Sequence, residues 1–125
     1  VYLAADYRNV IKVNDAVYYA TWLEYFDSVL IHNLLFPDTA YSLLGFMKIN
    51  NTFFIAVQQP FIQGASADLS DINMLLTYNG FSNIKRQDYF NDEFGLLLED
   101  MHDENVIAKE NSLFFIDTVF YILKR

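Results

Sequence analysis

Two apolar runs, Leu43-Leu44-Gly45-Phe46-Met47-Lys48-Ile49 and Thr52-Phe53-Phe54-Ile55-Ala56-Val57-Gln58, flank the pair Asn50-Asn51. Asparagine reaches positive φ more readily than other residues with a side chain, and a two-residue loop with positive φ at both positions joins adjacent antiparallel strands without splaying them. The pattern predicts a β-hairpin in the middle of the chain. A hairpin this apolar must bury at least one face against another element. The preceding segment offers one: Trp22, Phe26, Val29, Leu30 and Leu34 recur at spacings of three and four, as one buried helical face requires. Asn14 or Asp15 is the expected N-cap of this helix, which should run to about Leu35, just before Pro37.

Val1 to Leu3 and Asn9 to Val13 read as short strands around an Ala5-Asp6-Tyr7-Arg8 turn. After the hairpin, Gln58 to Ile62 should stay extended, because the Pro60 ring disfavours helix at Gln59. Ser66 to Asp71 is polar and rich in capping residues. Ile72, Leu75 and Leu76 mark a short helix stopping near Asn79-Gly80, and strand-like runs follow at Ile84 to Tyr89, Gly95 to Leu98, Val106 to Ala108 and Leu113 to Ile116. The segregated order of strands and helices predicts an α+β fold rather than a doubly wound βαβ alternation.

With 125 residues, 54% of them hydrophobic and 19% charged, the chain suits one folded domain and not a disordered segment. It begins at a valine already inside a strand-like run, so an excised piece of a longer protein is expected. A net charge of −8 argues against nucleic acid as a partner, and the adjacent basic pairs Lys85-Arg86 and Lys124-Arg125 read as solvated surface. No apolar run is long enough to span a membrane, and no signal peptide is visible, so no membrane partner is expected. The absence of cysteine rules out disulfides and thiolate metal sites and fits a reducing, cytoplasmic setting.

The stretch richest in chemistry is Leu97-Leu98-Glu99-Asp100-Met101-His102-Asp103-Glu104-Asn105-Val106-Ile107, followed by Leu113-Phe114-Phe115-Ile116-Asp117-Thr118. A polar loop lies between two apolar strands, and Asp117 ends the next one. Pairing of these strands would bring Asp100, Asn105 and Asp117 to one end of a hairpin. Two carboxylates and an amide oxygen suit Mg²⁺, which takes hard oxygen ligands and completes its octahedron with water and substrate phosphate. On spacing alone, an acidic, solvated turn remains the other reading.

Asp100-Met101-His102-Asp103-Glu104-Asn105 with Asp117 resembles the D-x-x-x-x-N catalytic loop and following metal-binding Asp of kinases. The His102 position is similar to the D-x-H-x-x-N form of aminoglycoside and choline kinase-like families, and Phe115-Ile116-Asp117 resembles their F-I-D element. Val10-Ile11-Lys12 resembles the V-A-I-K strand, whose lysine contacts the α- and β-phosphates. More narrowly, His32-Asn33-Leu34-Leu35-Phe36-Pro37, Gln59-Pro60-Phe61 and the Asp100 loop are similar to the kinase domain of bacterial polyvalent proteins, the multidomain proteins of phages and conjugative elements.

The resemblance implies a minimal kinase-like core: an N-lobe-like part over 1–58, a hinge-like segment over 59–63, and a reduced C-lobe-like part over 64–125. It implies ATP and Mg²⁺ as cofactors. Asp100 would be the catalytic base, Asn105 and Asp117 the metal ligands, and Lys12, Glu24 and Gln59 the nucleotide-binding set, with Glu24 pairing with Lys12. His102 would brace the loop rather than bind hard Mg²⁺, and His32 would pack or cap rather than ligate. The partners implied are a nucleotide, a protein or small-molecule hydroxyl acceptor, and other domains of the parent polypeptide. Departures accompany the match. No glycine-rich loop precedes Lys12, Thr118 stands where a glycine would follow Asp117, and eight residues follow Asp117. A pseudokinase-like binding module, or a structural interaction domain, is therefore the alternative. Lys12, Asp100, Asn105 and Asp117 are expected to converge on one cleft, and the isolated chain should bind Mg²⁺-nucleotide weakly, at roughly −4 to −6 kcal/mol.

Overall fold

The computed structural model describes residues 1–15 and 19–123. It has two units, Val1–Phe61 and Ile62–Arg125, whose boundary falls inside the segment 59–63. The described residues form eleven strands, mostly short and all paired antiparallel, and two α-helices. The fold is α+β. No helix among the described residues is long and apolar enough to cross a membrane.

The first unit is a four-stranded sheet with one helix. Its strands are β1 (Tyr2–Leu3), β2 (Asn9–Asn14), β3 (Ser42–Ile49) and β4 (Thr52–Pro60), in the order β1-β2-β4-β3. Asn50 and Asn51 take φ of 49° and 66°, and the hairpin closes on the pair Ile49–Thr52. Ile55 and Val57 of β4 are buried with Tyr25 of the helix, and Tyr19, Trp22, Phe26, Val29 and Tyr41 pack around them. Edge-to-face contacts with centroids 5.3–5.6 Å apart link Trp22 to Tyr25 and Phe53 and link Tyr25 to Phe26, a geometry that the ring quadrupoles favour.

The helix, α1 (Trp22–Leu35), departs from expectation at its start and in its buried face. Thr21 is the N-cap, not Asn14 or Asp15; residues 16–18 lie outside the described set. Thr21 Oγ1 accepts from the Glu24 N–H at 3.1 Å, while Glu24 Oε1 accepts from the Ala20 N–H at 3.0 Å. This reciprocal arrangement, a variant of the capping box, satisfies two donors at the helix entry. Truncation of Thr21 to Ala is expected to lower the unfolding free energy by about 1 kcal/mol in a urea titration. An unchanged midpoint would show that the cap carries no stability.

The side chains that α1 buries are Tyr25, Ser28 and His32, whereas Leu30 and Leu34 of the expected face are 64% and 79% exposed. Polar contacts on the buried side decide the orientation. The Tyr19 hydroxyl donates to Ser28 Oγ at 3.0 Å. His32 Nε2 lies 3.0 Å from Thr39 O and 3.1 Å from Thr39 Oγ1. A carbonyl only accepts, so Nε2 carries the ring proton. Gln59 Nε2 donates to the same carbonyl at 2.8 Å, and Asn33 both donates to Tyr41 O and accepts from Tyr41 N–H, at 3.0 and 2.7 Å. The residues of the His32–Pro37 and Gln59–Phe61 motifs thus tie the end of α1 to β4 and to the 3₁₀ turn at Pro37–Thr39.

The second unit holds α2 (Leu69–Tyr78) and two sheets. One contains β5 (Ala65–Ser66), β9 (Val106–Lys109) and β10 (Ser112–Phe115), in the order β10-β9-β5. The other contains β6 (Phe81–Lys85), β7 (Asp88–Asn91), β8 (Leu96–Glu99) and β11 (Val119–Ile122), in the order β11-β8-β7-β6. The run expected as one strand over Ile84 to Tyr89 is instead the turn of a hairpin, with Arg86 at φ 46°. Glu110 and Asn111, at φ 52° and 65°, close the β9–β10 hairpin as Asn50-Asn51 closes β3–β4. Gly64 permits the contact of β5 with β9, since a Cβ there would stand 2.6 Å from Ala108 O. Ile72, Leu76, Phe81, Tyr89, Leu98, Met101, Val106, Phe115 and Phe120 are buried in this unit.

Candidate functional site

The apolar strands on either side of the acidic loop do not pair with each other, contrary to expectation: β8 pairs with β7 and β11, and β9 with β10 and β5. The loop therefore passes from one sheet of the second unit to the other. It still brings the predicted residues together. Asn105 Nδ2 donates to Asp100 O at 2.8 Å. The Ile116 N–H donates to Asn105 O at 3.0 Å, which extends the β9–β10 ladder by one residue beyond Phe115–Val106 and sets Asp117 next in line. Two residues later, Val119 pairs with Glu99, the neighbour of Asp100. Asp100, Asn105 and Asp117 are held by the backbone at one end of these sheets.

Asp100 has φ of 61°, a left-handed conformation that Asp tolerates better than most residues but at some cost. Hydrogen bonds hold it on every side. Its N–H donates to Asp88 Oδ1 at 2.9 Å, and its carbonyl accepts from the His102 N–H at 2.9 Å as well as from Asn105. Its Oδ1 contacts His102 Nε2. The Met101 N–H donates to Gln87 O at 3.0 Å, and the Met101 side chain is buried. The Asp100 carboxylate itself is open to solvent, with 66% side-chain exposure. Burial, and then the charges of Asp88 and Asp100, push the Glu99 carboxyl above its usual range.

Among the described residues, no group of three His, Cys, Asp or Glu side chains could hold a metal ion. The donors available are the Asp117 carboxylate, which is exposed, and Asn105 Oδ1, which faces away from Asp100 O because Nδ2 occupies that side. Two protein oxygens fit a cation such as Mg²⁺ that draws its remaining ligands from water and phosphate, and do not fit a closed all-protein cage.

In the first unit, Lys12 lies in β2 opposite Val57, half-buried, with Nζ 5.3 Å from the centroid of Tyr41. The Tyr41 and His32 rings are 4.7 Å apart. The His32 imidazole is driven down to about 4 by burial, opposed by its bond to Thr39 and reinforced by the Lys12 charge. Glu24 Oε1 is engaged at the entry of α1, where it accepts from the Ala20 N–H. The side chain of Gln59 is 1% exposed and bonded inside the unit, so it is not presented to a ligand.

A family model described as a serine/threonine/tyrosine kinase found in polyvalent proteins matches residues 1–124. The chain belongs to this family, Kinase-PolyVal. No curated protein and no solved structure matches it. Two residues that sequence reasoning passed over, one in each unit, acquire a place. Asp88 grips the Asp100 amide, and Thr39 gathers His32 and Gln59. Neither stands in a motif, and each is visible only once strands distant in the chain are brought together.

Proposed function

We propose that this Kinase-PolyVal domain transfers the γ-phosphoryl group of ATP to a hydroxyl acceptor with Mg²⁺, as part of a larger polyvalent protein. The observation that supports the reading is the hydrogen-bonded link from the Asp100 carbonyl through Asn105 to the Ile116 N–H, which ties the residue bearing a solvent-open carboxylate to Asn105 and to the chain neighbour of Asp117. Asp100 accepts the proton of the attacking hydroxyl as its oxygen bonds to the γ-phosphorus and the bond to the β-phosphate bridge breaks, releasing ADP. Asn105 and Asp117 would hold the cation, which when bound would neutralise phosphate charge. Positioning and charge neutralisation are most of what phosphoryl transfer asks of a protein.

A second reading, a nucleotide-binding module without transfer, draws on Glu24, because an active kinase keeps its β-strand lysine paired with a helix glutamate and this glutamate is engaged at the cap. Assays of ATP turnover by the parent polypeptide separate the two. The metal arm is tested on its own by thermal melts across a Mg²⁺ or Mn²⁺ titration at constant ionic strength. Wild type should gain stability, about 2.7 kcal/mol at a roughly hundredfold excess over the dissociation constant. Asp117→Asn should lose most of that gain and Asp103→Asn little of it. Equal gains in all three proteins would mean diffuse binding and would remove Asp117 as a ligand.

A further inference from the structure

Hydrogen bonds from Asp88, His102 and Asn105 converge on the Asp100 backbone, and one of these restraints comes from outside the loop that holds it. The β6–β7 hairpin returns to it through two consecutive contacts: Gln87 O accepts from the Met101 N–H at 3.0 Å, and Asp88 Oδ1 accepts from the Asp100 N–H at 2.9 Å. Met101, only 1% exposed, anchors the chain immediately after. A left-handed φ at a residue other than glycine persists only where its surroundings over-determine it. Here the Asp100 carbonyl is held by Asn105 and by the His102 N–H, while its amide is held by Asp88.

A carboxylate accepting from an amide is a charge-assisted bond, stronger than a neutral one. It also sets one acid beside another. Burial first, and then the charges of Asp88 and Asp100, raise the Glu99 carboxyl, as expected where three acids lie within electrostatic reach of each other. A serine or asparagine could accept the same bond without placing a second acid beside Asp100, and Lys85 stands opposite Asp88 across the hairpin.

We propose that Asp88 is a positioning residue for phosphoryl transfer: by accepting from the Asp100 amide, it fixes the left-handed conformation from which the Asp100 carboxylate meets the acceptor hydroxyl. This rests on the phosphotransfer reading of Asp100. Loss of the bond frees the peptide to leave the left-handed region, and the carboxylate it carries moves with it. Nucleotide affinity should be spared, because Asp88 has no part in phosphate or cation binding.

The test compares Asp88→Ala and Asp88→Asn with wild type in the parent polypeptide, following ADP release under Mg²⁺-ATP and the Asp100 amide by NMR. Asp88→Ala should lower kcat about 10- to 100-fold, the scale of a misplaced catalytic group, with KM for ATP nearly unchanged. Its Asp100 amide proton should shift upfield and exchange faster. Asp88→Asn keeps an oxygen acceptor and should recover most of the turnover and of the amide signature. An active wild type with Asp88→Ala equally active overturns the role of Asp88 and leaves the phosphotransfer reading intact. Asparagine as poor as alanine overturns the hydrogen bond as the cause. A wild type without any transfer overturns the phosphotransfer reading, and with it the catalytic role of Asp88, even where the amide signature changes as described.

Discussion

Asp100→Asn should lower phosphoryl transfer by the parent polypeptide about 10²- to 10⁴-fold, the range that a positioned general base contributes. The substitution is a clean one for this site. Asparagine tolerates positive φ as well as aspartate does, so the backbone at φ 61° and its bonds to Asp88, His102 and Asn105 can remain. What it removes is the proton acceptor. Since the side chain is largely exposed, folding stability should stay within about 0.5 kcal/mol of wild type. The Glu99 carboxyl, relieved of one neighbouring charge, should titrate lower than in wild type. ADP release under single-turnover conditions, urea titration and a carboxyl NMR titration check the three parts. Turnover equal to wild type would mean that Asp100 is not the base. A large loss of stability would mean that the kinetic effect reports unfolding.

The parts of this molecule that sequence made legible are those governed by local chemistry. Asn50-Asn51 announces its hairpin because few residue pairs accept positive φ twice, and the stop of α2 at Asn79-Gly80 follows from the same property, with Gly80 at φ 89°. The Asp100, Asn105 and Asp117 triplet was legible as a spacing. The reason for its convergence was not, because β8 and β9 belong to different sheets and the link is made by Asn105 and Ile116 instead of by strand pairing. Reading Ile84 to Tyr89 as one strand failed where Arg86 takes a left-handed turn that its neighbours Lys85 and Gln87, neither Gly nor Asn, do not signal. The entry to α1 was in principle readable, for Thr21-Trp22-Leu23-Glu24 is a capping-box spacing.

The buried face of α1 was not readable in the same way. The helix carries apolar side chains on all sides, so hydrophobic periodicity gives it little direction. Its orientation is set by Ser28 and His32, polar residues whose burial makes sense only with Tyr19 and Thr39 as partners. A periodicity argument discards such residues, because a buried polar group without a partner is costly and a sequence does not show the partner.

That burial has a measurable consequence, which is the second large effect expected. His32 is fully buried, and its imidazole is lowered to about 4 from an ordinary value of 6.5. The ring is neutral at pH 7 and donates from Nε2 to Thr39 O, and protonation would place a cation in a desolvated site near Lys12. Between about pH 6.5 and 4 the unfolded chain therefore binds this proton and the folded chain does not. The folded state holds its full advantage above pH 6.5 and loses it as pH falls towards 4, at about 1.4 kcal/mol per unit and about 3 kcal/mol in all. Urea titrations of wild type and His32→Gln across this range isolate the contribution, because titration of the carboxylates is common to both proteins and cancels in the difference. Glutamine can still donate an N–H to Thr39 O, so the variant should fold at pH 7 with lower stability, and its disadvantage should shrink steadily as the solution is acidified. Parallel pH profiles for the two proteins would mean that His32 is protonated in the folded state as readily as in the unfolded chain, and that the His32–Thr39–Gln59 contacts do not depend on a neutral imidazole.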